Sequence, residues 1–220
     1  MDAISTYLAS PQSDALHQLY LTQTGITSRD VAIFMHFMSR APGVARDLHM
    51  HVGQNHLHIN HGDLVEAITL NLAPSHLTMR MIDYPKEDMF RELIKALTVN
   101  STIRYLDLSK VSLPYEAGPE TCAALGELFA RNTSLVELDL SGEQAVLESA
   151  RLGGGINVAL GRLAENRTLQ TLRIERECSI VPEPVFIFTK ICCSSNSRNF
   201  GCSCSFPDAP QKQYSSPPIL

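Results

Sequence analysis

The sequence has no tryptophan, and aromatic residues of all kinds make up only 6% of its 220 positions. Charge is also sparse: 18 basic residues stand against 23 acidic ones, for a formal net charge of −5. A chain without excess positive charge has no global attraction for phosphate backbones or anionic lipid, so neither nucleic acid nor membrane is an expected partner. No apolar run approaches the length needed to cross a bilayer, and the start Met1-Asp2-Ala3-Ile4-Ser5 lacks the basic residues and apolar stretch of a secretory signal. A cytoplasmic or nuclear location is the expectation. Cysteine is nearly missing from the body of the chain. Of six, only Cys122 precedes residue 178, while Cys178, Cys192, Cys193, Cys202 and Cys204 crowd the end, so no disulfide framework is expected to staple the fold.

What the chain does have is apolar content of 44%, too much for disorder throughout, and that content is periodic. One template, L-x-x-L-x-L, recurs as Leu16/Leu19/Leu21, Ala45/Leu48/Met50, Pro74/Leu77/Met79, Ile103/Leu106/Leu108, Leu135/Leu138/Leu140 and Leu169/Leu172/Ile174. The template starts are 29, 29, 29, 32 and 34 residues apart, which reads as one unit copied with insertions in its loops. Between templates the apolar period changes from 2 to 3.6, in Val31/Phe34/Met35/Met38, Phe90/Leu93/Ile94/Leu97, Leu125/Leu128/Phe129 and Ile156/Leu160/Leu163. Each unit is therefore a short strand, a loop and an amphipathic helix. A second register agrees: the last apolar helix residue lies six before the next template at Ile68, Leu97, Phe129 and Leu163. Pro85 and Pro119 sit where a missing N–H is harmless to a helix start, and Pro74 is tolerated at the first position of a strand. The second unit is the weakest, with a short helix over Asp63 to Leu70 after a loop carrying His56, Leu57, His58, Ile59 and His61, so irregular backbone is expected there.

These residues resemble the leucine-rich-repeat family, and a unit near 29 residues with a full helix is similar to its ribonuclease-inhibitor-like subclass. The resemblance implies an α/β solenoid, a horseshoe arc with parallel strands on the concave face and helices on the convex face. The domain reading is a partial helix or cap over 1–13, the solenoid over 14–177 in about five and a half units, and an irregular Pro/Ser/Cys-rich tail over 178–220. That tail reads as a disordered or alternative end, across which Val185, Phe186, Ile187, Phe188 and Ile191 could serve as a makeshift cap. The family places Asn or Cys three residues after the third template position, where this chain has Thr24, Gly53, Ile82, Val111 and Glu143, so the loop bonding must be rearranged or met by water. The partner classes the resemblance implies include small-GTPase regulators and actin-regulatory proteins.

Residues alternating with the buried leucines must face out, and they form the natural docking surface. One expected column is Gln18, Asp47, His76, Tyr105, Glu137 and Thr171, and the next is Tyr20, His49, Thr78, Asp107, Asp139 and Arg173. A third is Thr22, His51, Arg80, Ser109, Ser141 and Glu175. Histidine and Arg80 mark the early strands and Asp107, Glu137 and Asp139 the middle ones, so the face should change sign and offer its acidic half to a basic partner. Tyr20 and Tyr105 add the aromatic anchors that interfaces favour. The expected partner-binding residues are Tyr20, His49, Tyr105, Asp107, Glu137, Asp139 and Arg173.

Other motifs lead elsewhere. His49, His51 and His76 lie close enough for zinc, but no cysteine or carboxylate pair at a recognised spacing completes the set, so neither metal nor cofactor is expected. Asn100, Asn132 and Asn166 match N-x-[S/T] acceptors, yet all three occupy one helix-to-strand turn, where asparagine tolerates left-handed backbone. Gly153, Gly154 and Gly155 lack the Lys-Ser/Thr of a phosphate loop, and the paired cysteines of the tail lack zinc-knuckle spacing. No nucleophile elbow or paired carboxylate site is present, so a non-catalytic protein-binding scaffold is the expectation, with a GTPase activator or a truncated solenoid as the alternatives.

Overall fold

A computed structural model describes residues 2–41, 43–141, 156–174 and 186–189. Helices and short strands alternate along them: α1 (Asp2–Ala9), β1 (Gln18–Tyr20), α2 (Ser28–Met38), β2 (His49–His51), α3 (His61–Thr69), β3 (His76–Thr78), α4 (Glu87–Val99), β4 (Tyr105–Asp107), α5 (Pro119–Arg131), β5 (Glu137–Asp139), α6 (Ile156–Gly161) and β6 (Thr171–Ile174). Strands β1 to β6 pair in chain order and in parallel, and β7 (Phe186–Thr189) adds to β6 antiparallel. Parallel neighbours need a crossover, and each intervening helix supplies it. The central residues Met50, Leu77, Leu106, Leu138 and Leu172 are buried against the helices, joined in one core by Phe34, Phe90 and Phe129. Each such side chain contributes roughly 1.5–3 kcal/mol on burial.

The helices form where capping and periodicity agree. In α2, the Asp30 carboxylate accepts the Thr27 N–H at 2.8 Å in a capping box, and Val31, Phe34, Met35 and Met38 turn one face into the core. Pro119 opens α5, and Pro85 lies just ahead of α4, as the sequence suggests. Pro74, by contrast, lies two residues before β3 and not on it. The last stripe is weaker than its periodicity implies: Ile156, Leu160 and Leu163 are half-buried, and α6 gives way to a 3-10 turn over Arg162–Glu165.

The second unit is registered differently from its apparent template. Leu19 pairs with Met50 and Met50 with Leu77, so the unit's template is Asp47/Met50/Val52 and not Ala45/Leu48/Met50. From Gln18 to His49 is therefore 31 residues and from His49 to His76 is 27, where the sequence suggests equal steps. The cause is a run of three alternating apolar residues, Leu48, Met50 and Val52, all fully buried. A slip of two residues keeps every side chain on its face, so the pattern cannot reject it. The shifted frame places Asn55, and not Gly53, three residues after the third position. Its Oδ1 accepts the N–H groups of Thr24 (3.0 Å) and Gly25 (2.9 Å), and its Nδ2 donates to the carbonyls of Leu21 (2.7 Å) and Val52 (3.0 Å). In this unit an asparagine thus stands at the loop position and bonds the loops of two units together. Gly53 has its own reason: a Cβ there would lie 2.7 Å from the Arg80 carbonyl oxygen.

A second asparagine row stitches the helix-to-strand turns. Asn100, Asn132 and Asn166 are 2–3% exposed and extended in backbone, not left-handed as the turn reading predicts. They recur because of what their side chains bond. The Asn132 Oδ1 accepts the N–H groups of Ser134 (2.9 Å) and Leu135 (2.7 Å), while its Nδ2 donates to Leu97 O of the preceding unit at 2.7 Å. Asn100 and Asn166 repeat the pattern onto Ile68 O and Phe129 O, both at 2.7 Å. Buried amide groups engaged in this way are closed to glycosylation. The left-handed geometry occurs instead at Asn71, φ 60°, where the N–H groups of Asn71 and Leu72 bond back to Ile68 O and Ala67 O and close α3 in a Schellman motif.

The irregularity expected around the second unit falls at Asn60 and Asn71, which flank α3 with φ of 56° and 60°. At the amino end, Ser5 and Leu8 of α1 are buried, whereas Ile4 and Tyr7 are exposed. Arg40 binds that end to α2, donating to Ala9 O (2.9 Å), Ser10 O (2.7 Å) and Asp14 Oδ1 (2.8 Å). Glu143, Gly153 to Gly155, Glu175, Val185, Ile191 and all tail cysteines lie outside the described residues.

Candidate functional site

The face of the sheet turned away from the helices carries two columns set by the strand register. One is Gln18, His49, His76, Tyr105, Glu137 and Thr171, and the other is Tyr20, His51, Thr78, Asp107, Asp139 and Arg173. Three placements in the expected columns are thereby corrected. His49 stands beside Gln18 and His76, His51 takes the place beside Tyr20 and Thr78, and Gly53 replaces His51 next to Arg80. Asp47 drops out of the strand columns, although its Oδ1 accepts the Ser75 hydroxyl at 3.2 Å and lies 3.8 Å from His76 Nδ1.

The corrected register brings five rings into contact. Tyr20 stacks on His51 with centroids 4.2 Å apart and 6° between planes, and His51 stacks on His49 at 3.9 Å. His49 leans on His76 at 5.4 Å, and His76 stacks on Tyr105 at 4.2 Å and 9°. The ladder crosses β1 to β4 without a break, and Tyr20 at its end is 64% exposed. The His49 Nε2 is 3.0 Å from Thr78 Oγ1, whereas His51 Nε2 is buried with no hydrogen-bond partner. Burial holds all three imidazoles below their ordinary pKa; neighbouring His51 and His76 add to the effect on His49, while Asp107 and Asp47 oppose it at His51 and His76. Among the described residues no group of three His, Cys, Asp or Glu could hold a metal ion.

The strands beyond carry the acids, which are already engaged. Asp107 Oδ1 accepts the Ser109 N–H and Asp139 Oδ1 the Ser141 N–H, both at 2.8 Å, so each closes the turn after its strand. Arg173 pairs with Glu137 and lies 3.8 Å from Asp139, and Arg80 lies 4.0 Å from Asp107. The change of sign along the face is thus blunted by two arginines, one of which was itself an expected contact residue. His51 and His76 are the rings that the expected contact set lacks. His76 stands in its expected column, whereas the two-residue slip displaces His51, and the signal that could have placed it is Asn55 at the loop position.

Two further features lie away from this face. Ile33, Phe37 and His36 of α2 line a shallow groove with Asp63, Glu66 and Leu70 of the α3 segment. His61 of α3 is buried, donates from Nε2 to Met89 O at 2.7 Å, and meets Tyr84 edge to face at 5.5 Å. Its Nδ1 and the Tyr84 hydroxyl are both buried without partners, and burial lowers the His61 pKa and raises that of Tyr84.

No protein-family model matches the chain, and no curated protein does. Among solved structures, the chain is similar to Leiomodin-1 Actin-Binding Site 2 (ABS2), at 12% identity and a TM-score of 0.48, over 74% of this chain and 87% of that one. So distant a similarity assigns neither fold family nor function. Among the described residues, no helix is long and apolar enough to cross a membrane.

Proposed function

We propose that the chain is a leucine-rich-repeat solenoid of the ribonuclease-inhibitor-like subclass, working in the cytoplasm as a non-catalytic module that receives a protein partner on the concave strand face. The observation that supports this reading most is the five-ring ladder. Rings held half-exposed in fixed geometry have already lost much of the freedom that binding would cost them, and aromatic residues are enriched at interface centres. The groups of this face are spread over six strands in two columns, the form of a broad contact surface. The partner is a protein that sets basic groups against Glu137 and Asp139 and a planar group against the open side of Tyr20. Asp107 and Asp139 also hold their own turns, so alanine at those positions would disturb the loops. Cleaner variants are Tyr20→Ala and Glu137→Gln. In affinity capture, the doubly substituted chain should lose about tenfold or more of partner recovery, since each anchor removed costs on the order of 1 kcal/mol or more. An exposed control on α4, Lys95→Ala, should lose none, and equal recovery by all three forms would contradict the reading.

A further inference from the structure

We propose that the β1–β4 half of this face is an acid-gated docking site for an acidic polypeptide segment, an inference that rests on reading the face as a partner surface. The geometry carries it. His51, His49 and His76 are consecutive rungs of one stack, with centroids 3.9 and 5.4 Å apart. The groups that face them are Gln18 and Tyr20 from β1, Thr78 and Arg80 from β3 and its loop, Tyr105 and Asp107 from β4, and Asp47, Ser75 and Arg104 from the loops leading into the strands. With neutral imidazoles, Asp47 and Asp107 balance Arg80 and Arg104. Because Asp47 and Asp107 are already matched by the two arginines, every proton taken up leaves the cluster with a net positive charge, and like charges at these spacings repel. Carboxylates on a partner relieve that repulsion. By linkage, an acidic segment then binds more tightly as pH falls and raises the affinity of the rings for protons.

The surroundings set how readily each ring takes a proton. Asp47, 3.8 Å from His76 Nδ1, favours charge on His76. Burial lowers the pKa of all three rings, and at His49 the neighbouring His51 and His76 lower it further. The rings are therefore neutral at neutral pH and take up protons only below the ordinary histidine value of 6.5.

A hexaglutamate peptide titrated into the full chain at about pH 7.5 and about pH 5.5, with the imidazole C–H resonances followed by NMR, tests the gate. The expected result is an affinity gain on the order of tenfold or more at the lower pH, with the His76 and His49 titrations moved upward by the peptide. The His49→Gln/His76→Gln double variant should lose the gain, and His76→Gln alone, the milder change, should lose part of it. Hexaglutamate affinity that does not change with pH, an equal gain in the variants, unmoved His76 and His49 resonances, or loss of the far-UV signal of the unsubstituted chain at the lower pH would each overturn the proposal. The partner reading fails separately, through unchanged capture by the Tyr20→Ala/Glu137→Gln chain.

Discussion

Asn132 illustrates how much of this fold hangs on single polar residues. Its amide closes the turn after α5 through Ser134 and Leu135 and reaches across to Leu97 O and Asn100 O at 2.7 and 3.1 Å. Alanine at this position would strand buried N–H and C=O groups, each worth about 1–3 kcal/mol when left unpaired. Urea unfolding of Asn132→Ala should therefore show a loss of about 3 kcal/mol, near the upper range for a single substitution. A change within half a kcal/mol, typical of an exposed site, would contradict the stitching role. His61 makes a pH argument at the same scale. Because burial lowers its pKa, the unfolded chain binds more protons than the folded one once pH falls below the ordinary histidine value of 6.5. Stability is thus full above that value, falls as pH drops from it toward the folded pKa, and levels off below. Thermal unfolding between about pH 7 and 5 should follow that slope, and His61→Gln should flatten it. A melting temperature that rises on acidification would contradict the assignment.

At the scale of elements, the helices and most strands were legible because their apolar periods are long and clean, as in Phe90/Leu93/Ile94/Leu97 against Tyr105-Leu106-Asp107. The frame of the second unit is ambiguous by two residues in the sequence because Leu48, Met50 and Val52 satisfy either register. A recurring left-handed residue three positions past each of β1 to β4 was not legible at all. Gln23, Gln54, Met81 and Lys110 occupy it with φ of 56–58°; two are glutamine, but methionine and lysine have no side-chain chemistry in common with them. Left-handed backbone costs a non-glycine residue roughly 1–2 kcal/mol. It is offset here by the N–H of each, which bonds the next unit's loop carbonyl at 2.8–3.3 Å. The ring ladder was half legible: the residue types were visible, but the contacts depend on the corrected register. The attachment of α1 belongs to this scale too, since Arg40 donates to four acceptors at and just after its end: Ala9 O, Ser10 O, Ser13 Oγ and Asp14 Oδ1. In Arg40→Ala, amide hydrogens of residues 5–9 should exchange about tenfold faster or more, with β2 to β5 unaffected. Unchanged exchange would show that the buried face of α1, centred on Leu8, suffices.

At the scale of the whole molecule, the described residues join through neighbours: each strand pairs with the next in the chain, and consecutive helices pack side by side. Such a plan needs no charge excess and no disulfide, in keeping with a net charge of −5 and a buried Cys122 thiol whose pKa is raised by burial. It also leaves one sheet face available along its length, and the central claim is that this face receives a protein. The most direct measurement replaces Gln18, on the open face, and in a second chain Lys95, on the helical side, with a photo-crosslinking amino acid, and irradiates each in its native cell extract. Both side chains are exposed. The account predicts a discrete crosslinked product from position 18 that is lost when Tyr20→Ala is added, and none from position 95; equal products from both positions, or product only from position 95, would contradict it.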